Sequence, residues 1–115
     1  MPLLIFYMKA GTKMIDINTK EELQEVIGLD EISICQFSMC WCGSCRSIKA
    51  QIESKEQEYP KLKFYYVDLD KVDVADEYEI NELPALIAFK KGEVISKKEQ
   101  AELFDWLNFL SQTWV

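Results

Sequence analysis

Histidine is missing from all 115 residues of the chain. Its absence excludes imidazole acid–base catalysis, serine–histidine and cysteine–histidine nucleophile pairs, and any metal site that needs a histidine ligand. Turn formers are scarce too, with four Gly and three Pro, so neither a linker nor a low-complexity segment interrupts the chain. Positive charge is short: 13 Lys and Arg stand against 20 Asp and Glu, a net charge of −7. A surface of that sign repels phosphate and argues against nucleic acid as a partner. The apolar run Leu3–Met8 is six residues long, too short to span a bilayer and short for a signal-peptide core, and no Lys or Arg precedes it. The expectation is a cytoplasmic protein with no membrane partner. Residues 1–13 read as an N-terminal extension or extra strand, and residues 14–115 as one domain.

What is present builds a core. Apolar residues make up 49% of the chain and aromatics 12%. At this length roughly two-thirds of the unfolded surface can be buried, so no metal or disulfide staple is needed for stability. Met14–Ile17 alternates as a strand, and Thr19 with Glu22 forms a capping box opening a helix that stops near Gly28. Ile32–Phe37 is the apolar, β-branched run of a strand buried on both faces. Ile48 and Ile52 repeat at helical spacing in a helix running to Tyr59, ahead of Pro60. Lys63–Leu69 reads as a strand, Val74–Tyr78 as a short helix, and Ala85–Phe89 as a strand. Lys91-Gly92 turns into Val94-Ile95, and Leu103, Leu107 and Leu110 mark the inner face of a closing helix. The order β-α-β-α-β-α-β-β-α predicts an α/β sandwich.

All four cysteines lie between positions 35 and 45. Cys42-Gly43-Ser44-Cys45 falls directly after a buried strand and at the start of a helix. There the unpaired backbone N–H groups and the helix dipole favour negative charge, so the Cys42 thiol ionises more easily than a free one. Cys45, one turn in, is placed to attack a mixed disulfide formed at Cys42. Cys35 reads as a small buried thiol and Cys40 as a free thiol, a second disulfide at Cys40 staying open. Asp68 and Asp70 read as strand-end and turn residues. Trp106, Phe109 and Trp114 read as helix packing and a tail contact.

Trp41-Cys42-Gly43-Ser44-Cys45-Arg46 resembles the Trp-Cys-Gly-Pro-Cys-Lys active site of thioredoxins. Phe37 ahead of the motif, Glu58-Tyr59 at the end of the next helix, Val67-Asp68-Leu69-Asp70 and Leu83-Pro84-Ala85-Leu86-Ile87-Ala88-Phe89-Lys90-Lys91-Gly92-Glu93 agree with the family in kind and order. The resemblance covers roughly residues 14–110. It implies a thioredoxin fold, a central mixed β-sheet with helices on both faces. It also implies a cis bond at Pro84, facing the cysteines and docking an extended substrate. The implied activity is protein disulfide reduction through Cys42 and Cys45, with Trp41, Gly43, Ser44, Leu83 and Pro84 binding substrate. No cofactor is implied; the partners are disulfide-containing proteins and a thioredoxin reductase or other electron donor, and the expected state is a monomer.

The departures lie beside the cysteines. Where the family places a buried Asp, six residues before the first cysteine, stands Gln36, and where it places the partner Lys stands Tyr66. Losing both members together avoids stranding one buried charge, which costs about 3–5 kcal/mol. Gln36 and Tyr66 are expected to form a neutral, hydrogen-bonded substitute that activates Cys45 more weakly. Ser44 replaces a Pro and leaves the helix start more adaptable, and Arg46 is a candidate to favour the Cys42 thiolate. Ser38 stands where the family often has a second Trp. The segment from Val94 to Leu103 is short and lacks the groove-lining Gly, and Glu82 sits beside Leu83-Pro84, so the groove is expected to be reshaped. Two other readings remain: a partner-restricted or non-catalytic interaction module on this fold, and a zinc or iron–sulfur site made by the cysteine cluster.

Overall fold

The computed structural model describes residues 14–99 and 101–113. The expected extension or extra strand in residues 1–13, and Trp114, lie outside the described residues. Among the described residues five strands form one mixed sheet: β1 (Ile15–Ile17), β2 (Ile32–Ser38), β3 (Leu62–Asp68), β4 (Ala85–Lys90) and β5 (Glu93–Lys98), in the order β1-β3-β2-β4-β5. Strands β1, β3 and β2 run parallel, while β4 is antiparallel to both β2 and β5. All seven residues of β2 are buried, because it holds the middle of the sheet with helices over both faces.

Alternation along β2 divides the core in two. Ile34 joins Phe64, Leu86 and Ala88 under helix α2 (Gly43–Lys55) and helix α3 (Leu103–Thr113), which contribute Ile52, Trp106, Leu107 and Leu110. Cys35 and Phe37 join Tyr65, Val67 and Ile87 on the opposite face, against Leu23 and Ile27 of helix α1 (Lys20–Ile27). The thioredoxin fold expected from the sequence is therefore present, with helices on both faces. The capping box has formed: Thr19 Oγ1 accepts the Glu22 N–H at 3.1 Å, and Glu22 Oε1 accepts the Thr19 N–H at 3.3 Å.

Three expectations need correction. Val74–Tyr78 is not a helix but a chain of turns; the Tyr78 N–H reaches the Val74 carbonyl once, and Glu79, at φ 56°, turns the chain out of helical geometry. Helix α2 stops at Lys55, and a single 3₁₀ turn, Glu56–Glu58, carries the chain to Tyr59. Pro60 disfavours helical geometry in the residue before it, and Tyr59 sits at φ −123°, ψ 66°. Phe109 is not packed; its exposure is 55%. Trp106, by contrast, is buried, and its indole N–H donates to Ser96 Oγ at 2.9 Å. The turn reading of Asp68 holds as well, since its Oδ1 accepts the Asp70 N–H at 2.9 Å.

Replacing Thr19 by Ala removes a side-chain acceptor from the first turn of α1 and is expected to cost about 1 kcal/mol of stability. Urea unfolding checks this through a lower midpoint at unchanged slope; an unchanged midpoint would mean that tertiary packing alone holds the helix start.

Candidate active site

Beyond Ser38 the chain leaves the sheet in one tight turn, closed by the Cys42 N–H on the Met39 carbonyl at 3.0 Å. Cys42 is the N-cap of α2, with extended backbone (φ −90°, ψ 102°), and its sulfur accepts the Cys45 N–H at 3.1 Å. A sulfur thus stands where helix starts usually place a hydroxyl or carboxylate oxygen. The first turn of α2 holds no acidic residue, so nothing offsets the positive end of its dipole. Cys42 and Cys45 are joined as a disulfide, their Cα atoms 5.3 Å apart, and both residues are buried. Ser44 Oγ lies 3.5 Å from Cys42 Sγ.

The remaining predicted residues divide by what surrounds them. Trp41 is 69% exposed next to Cys42, so it is a surface aromatic and no part of the core. Leu83–Pro84 is a cis peptide bond. Since Ala85 pairs with Phe37, Pro84 sits level with the end of β2 from which the cysteine turn leaves. Pro84 and Glu82 line a cleft of about 490 Å³ that runs toward Lys97 and Lys98 of β5. Arg46 points back along its helix, its Nη1 donating to the Cys40 carbonyl at 3.1 Å, so it clasps the turn that carries Trp41. Gly43 packs under the same guanidinium, 3.8 Å from where a Cβ would stand.

Gln36 is wholly buried, and its Nε2 donates to the Cys45 carbonyl at 2.8 Å. The expected bond between Gln36 and Tyr66 is not made, although the two residues are register partners on β2 and β3. The amide takes a carbonyl, a stronger acceptor than a phenol, and Tyr66 is half-buried with the Lys49 ammonium 5.2 Å from its ring centre. Lys49 also pairs with Glu53 at 3.0 Å. Sequence reasoning passed over this cation, yet Cys45, Lys49 and Glu53 follow one another at four-residue spacing along one stripe of α2.

The other two cysteines lie apart from the disulfide. Cys35 is enclosed in the α1 face of the core, and burial pushes its thiol far above the ordinary range. Cys40 is exposed and free. Among the described residues no three metal-ligating side chains converge, and no helix is long and apolar enough to cross a membrane.

Comparison with known proteins agrees with this geometry. The sequence model of the thioredoxin family matches residues 3–109. Thioredoxin-1 of Saccharomyces cerevisiae is 35% identical over 80 residues, covering 69% of this chain and 78% of that protein. Human thioredoxin is 34% identical over 84 residues, covering 70% and 80%. Among solved structures, thioredoxin from Malassezia sympodialis superposes with a TM-score of 0.77 at 25% identity, over 90% of this chain and 92% of that one. A strand-to-helix Cys-Gly-Ser-Cys disulfide on this fold, in a sequence of this likeness, leaves one conclusion: the chain belongs to the thioredoxin family and is a thiol–disulfide oxidoreductase.

Proposed function

We propose that the protein reduces disulfides in other proteins, with Cys42 as the attacking thiol and Cys45 as the resolving one. The observation that carries this reading is the Cys42 sulfur capping α2 and accepting the Cys45 N–H, an arrangement that stabilises a thiolate at Cys42. The Cys42 thiolate attacks one sulfur of the substrate disulfide and the other leaves as a thiolate. Cys45, having lost its proton, attacks Cys42 in the mixed disulfide. The second substrate sulfur departs, leaving the Cys42–Cys45 disulfide. An external dithiol, a thioredoxin reductase or comparable electron donor, returns two electrons and two protons. Trp41, Gly43, Ser44, Leu83 and Pro84 form the docking surface, where an extended substrate segment adds backbone hydrogen bonds. Arg46 acts there by holding the Cys40 carbonyl and so fixing the turn beneath Trp41.

The setting we propose is the cytoplasm, with the protein working as a monomer and requiring no nucleic acid, membrane or organic cofactor. Two free cysteines, Cys35 and Cys40, fit a reducing compartment, and the net charge of −7 disfavours phosphate partners. We assign the redox chemistry to residues 14–115. Glu82 at the cleft beside Pro84 narrows the range of substrates.

Insulin reduction with dithiothreitol as donor tests the reading. The intact protein is expected to accelerate insulin precipitation, and Cys42→Ser to fall back to the rate of dithiothreitol alone. A folded, intact protein that gives no acceleration would favour a partner-restricted module. Weak activation of Cys45 carries its own test. Placing a carboxylate by Gln36→Asp supplies a base to the resolving thiol, and is expected to speed release from a preformed Cys42 mixed disulfide about tenfold. An unchanged release rate would show that the residue at position 36 does not limit that step.

A further inference from the structure

Of the buried side-chain polar atoms among the described residues, Gln36 Oε1 is the one with no hydrogen-bond partner. Its position is not incidental. Only an N–H can bond to the Cys45 carbonyl, so the bond from Nε2 at 2.8 Å fixes which end of the amide is free. The unpartnered oxygen is therefore held one carbon away from a group anchored on Cys45, a residue that is itself 0% exposed. Leu86, across β4, offers no donor, and the register partner Tyr66 makes no bond to it. In the disulfide state the Cys45 side chain also has nothing to donate, because its sulfur is bonded to Cys42.

Reduction changes that inventory. The S–S bond breaks, two electrons and two protons arrive from an external dithiol whose own sulfurs join as a disulfide, and Cys45 gains an S–H. That is a new donor on the residue whose carbonyl already anchors the amide with the idle acceptor. We infer that Gln36 Oε1 accepts the Cys45 thiol hydrogen in the reduced protein, so that Gln36 makes the Cys42–Cys45 pair a weaker reductant than an apolar residue at position 36 would. The inference rests on the oxidoreductase reading and adds to it the residue that sets the redox poise. The bond from Nε2 to the Cys45 carbonyl is common to both redox states and cancels in their comparison. The acceptor bond is made in one state only, and an unsatisfied buried acceptor is unfavourable enough to move an equilibrium about tenfold.

The test is the equilibrium of the purified protein with glutathione of defined ratio, wild type against Gln36→Leu and against Gln36→Met, which keeps an unbranched side chain should the first variant fold poorly. The expected result is an equilibrium constant for reduction about tenfold lower in the variants, a potential about 30 mV more negative. Equal constants within twofold overturn the inference, as they would if a buried water satisfied Oε1 in both states. Infrared spectra of the reduced proteins supply a second reading. A hydrogen-bonded S–H absorbs at lower frequency than a free one, so one thiol band is expected to move upward in the variants; unmoved bands overturn the inference. Failure of the wild-type pair to exchange with glutathione at all would overturn the oxidoreductase reading and this inference with it. Exchange without a difference between proteins overturns this inference alone.

Discussion

A strand covered on both faces cannot slide, because a slip of one residue exchanges the two sets of side chains it presents. In β2 such a slip would turn Gln36 toward Leu23 and Ile27 and bring Cys35 under the helix that carries the disulfide. All seven β2 residues are buried, so the register with β3 and β4 is held along the strand's whole length, from Ile32 opposite Leu62 to Ser38 opposite Asp68. The exit point of the chain is held with it. The Leu69 N–H closes the ladder on the Ser38 carbonyl at 2.9 Å, and four residues later Cys42 starts α2. The same register brings Pro84 level with that exit through β4. Cys42, the helix dipole and Pro84 are thereby set by the packing of one strand.

The chemistry follows from what this frame leaves charged. With no imidazole in the chain, a thiolate at Cys42 depends on fixed dipoles, namely the start of α2 and the Cys45 N–H. Those contributions come from backbone and survive changes of side chain. Cys45 is different. It lies below the surface at 0% exposure, and its neighbour is a neutral amide where the family carries a carboxylate. Gln36 and Tyr66 carry no charge, so no ion pair is desolvated between them; the Gln36 amide oxygen remains unpaired. Lys49 keeps positive charge near this region from the helix side, shared between the Tyr66 ring and Glu53.

The parts of this arrangement that were legible in the sequence are those governed by local rules. The capping box at Thr19, the doubly buried run ending at Phe37, the hairpin turn at Lys91-Gly92 and the placement of Cys42 at a helix start follow from patterns within a few residues, and the structure has each of them. Val74–Tyr78 misled because its apolar spacing suits a helix, while a positive φ at Glu79 depends on how the loop reaches Pro84. The partner of Gln36 was illegible for a related reason. Nothing in one dimension decides between an acceptor across the sheet and a carbonyl on the helix above it. Arg46 shows the same limit, since its distance from the cysteines along the chain says nothing about its grip on the Cys40 carbonyl.

These two kinds of control lead to a division of labour between the cysteines. A change of side chain at position 36 leaves the backbone dipole of α2 in place, so in the proposed cycle the attack by Cys42 is insulated from it. The same change acts directly on Cys45, whose carbonyl the residue holds. The substitution of Gln36 and Tyr66 for a charged pair falls wholly on the second side of that division. In the proposed cycle it acts on the last step and leaves the first to the fold.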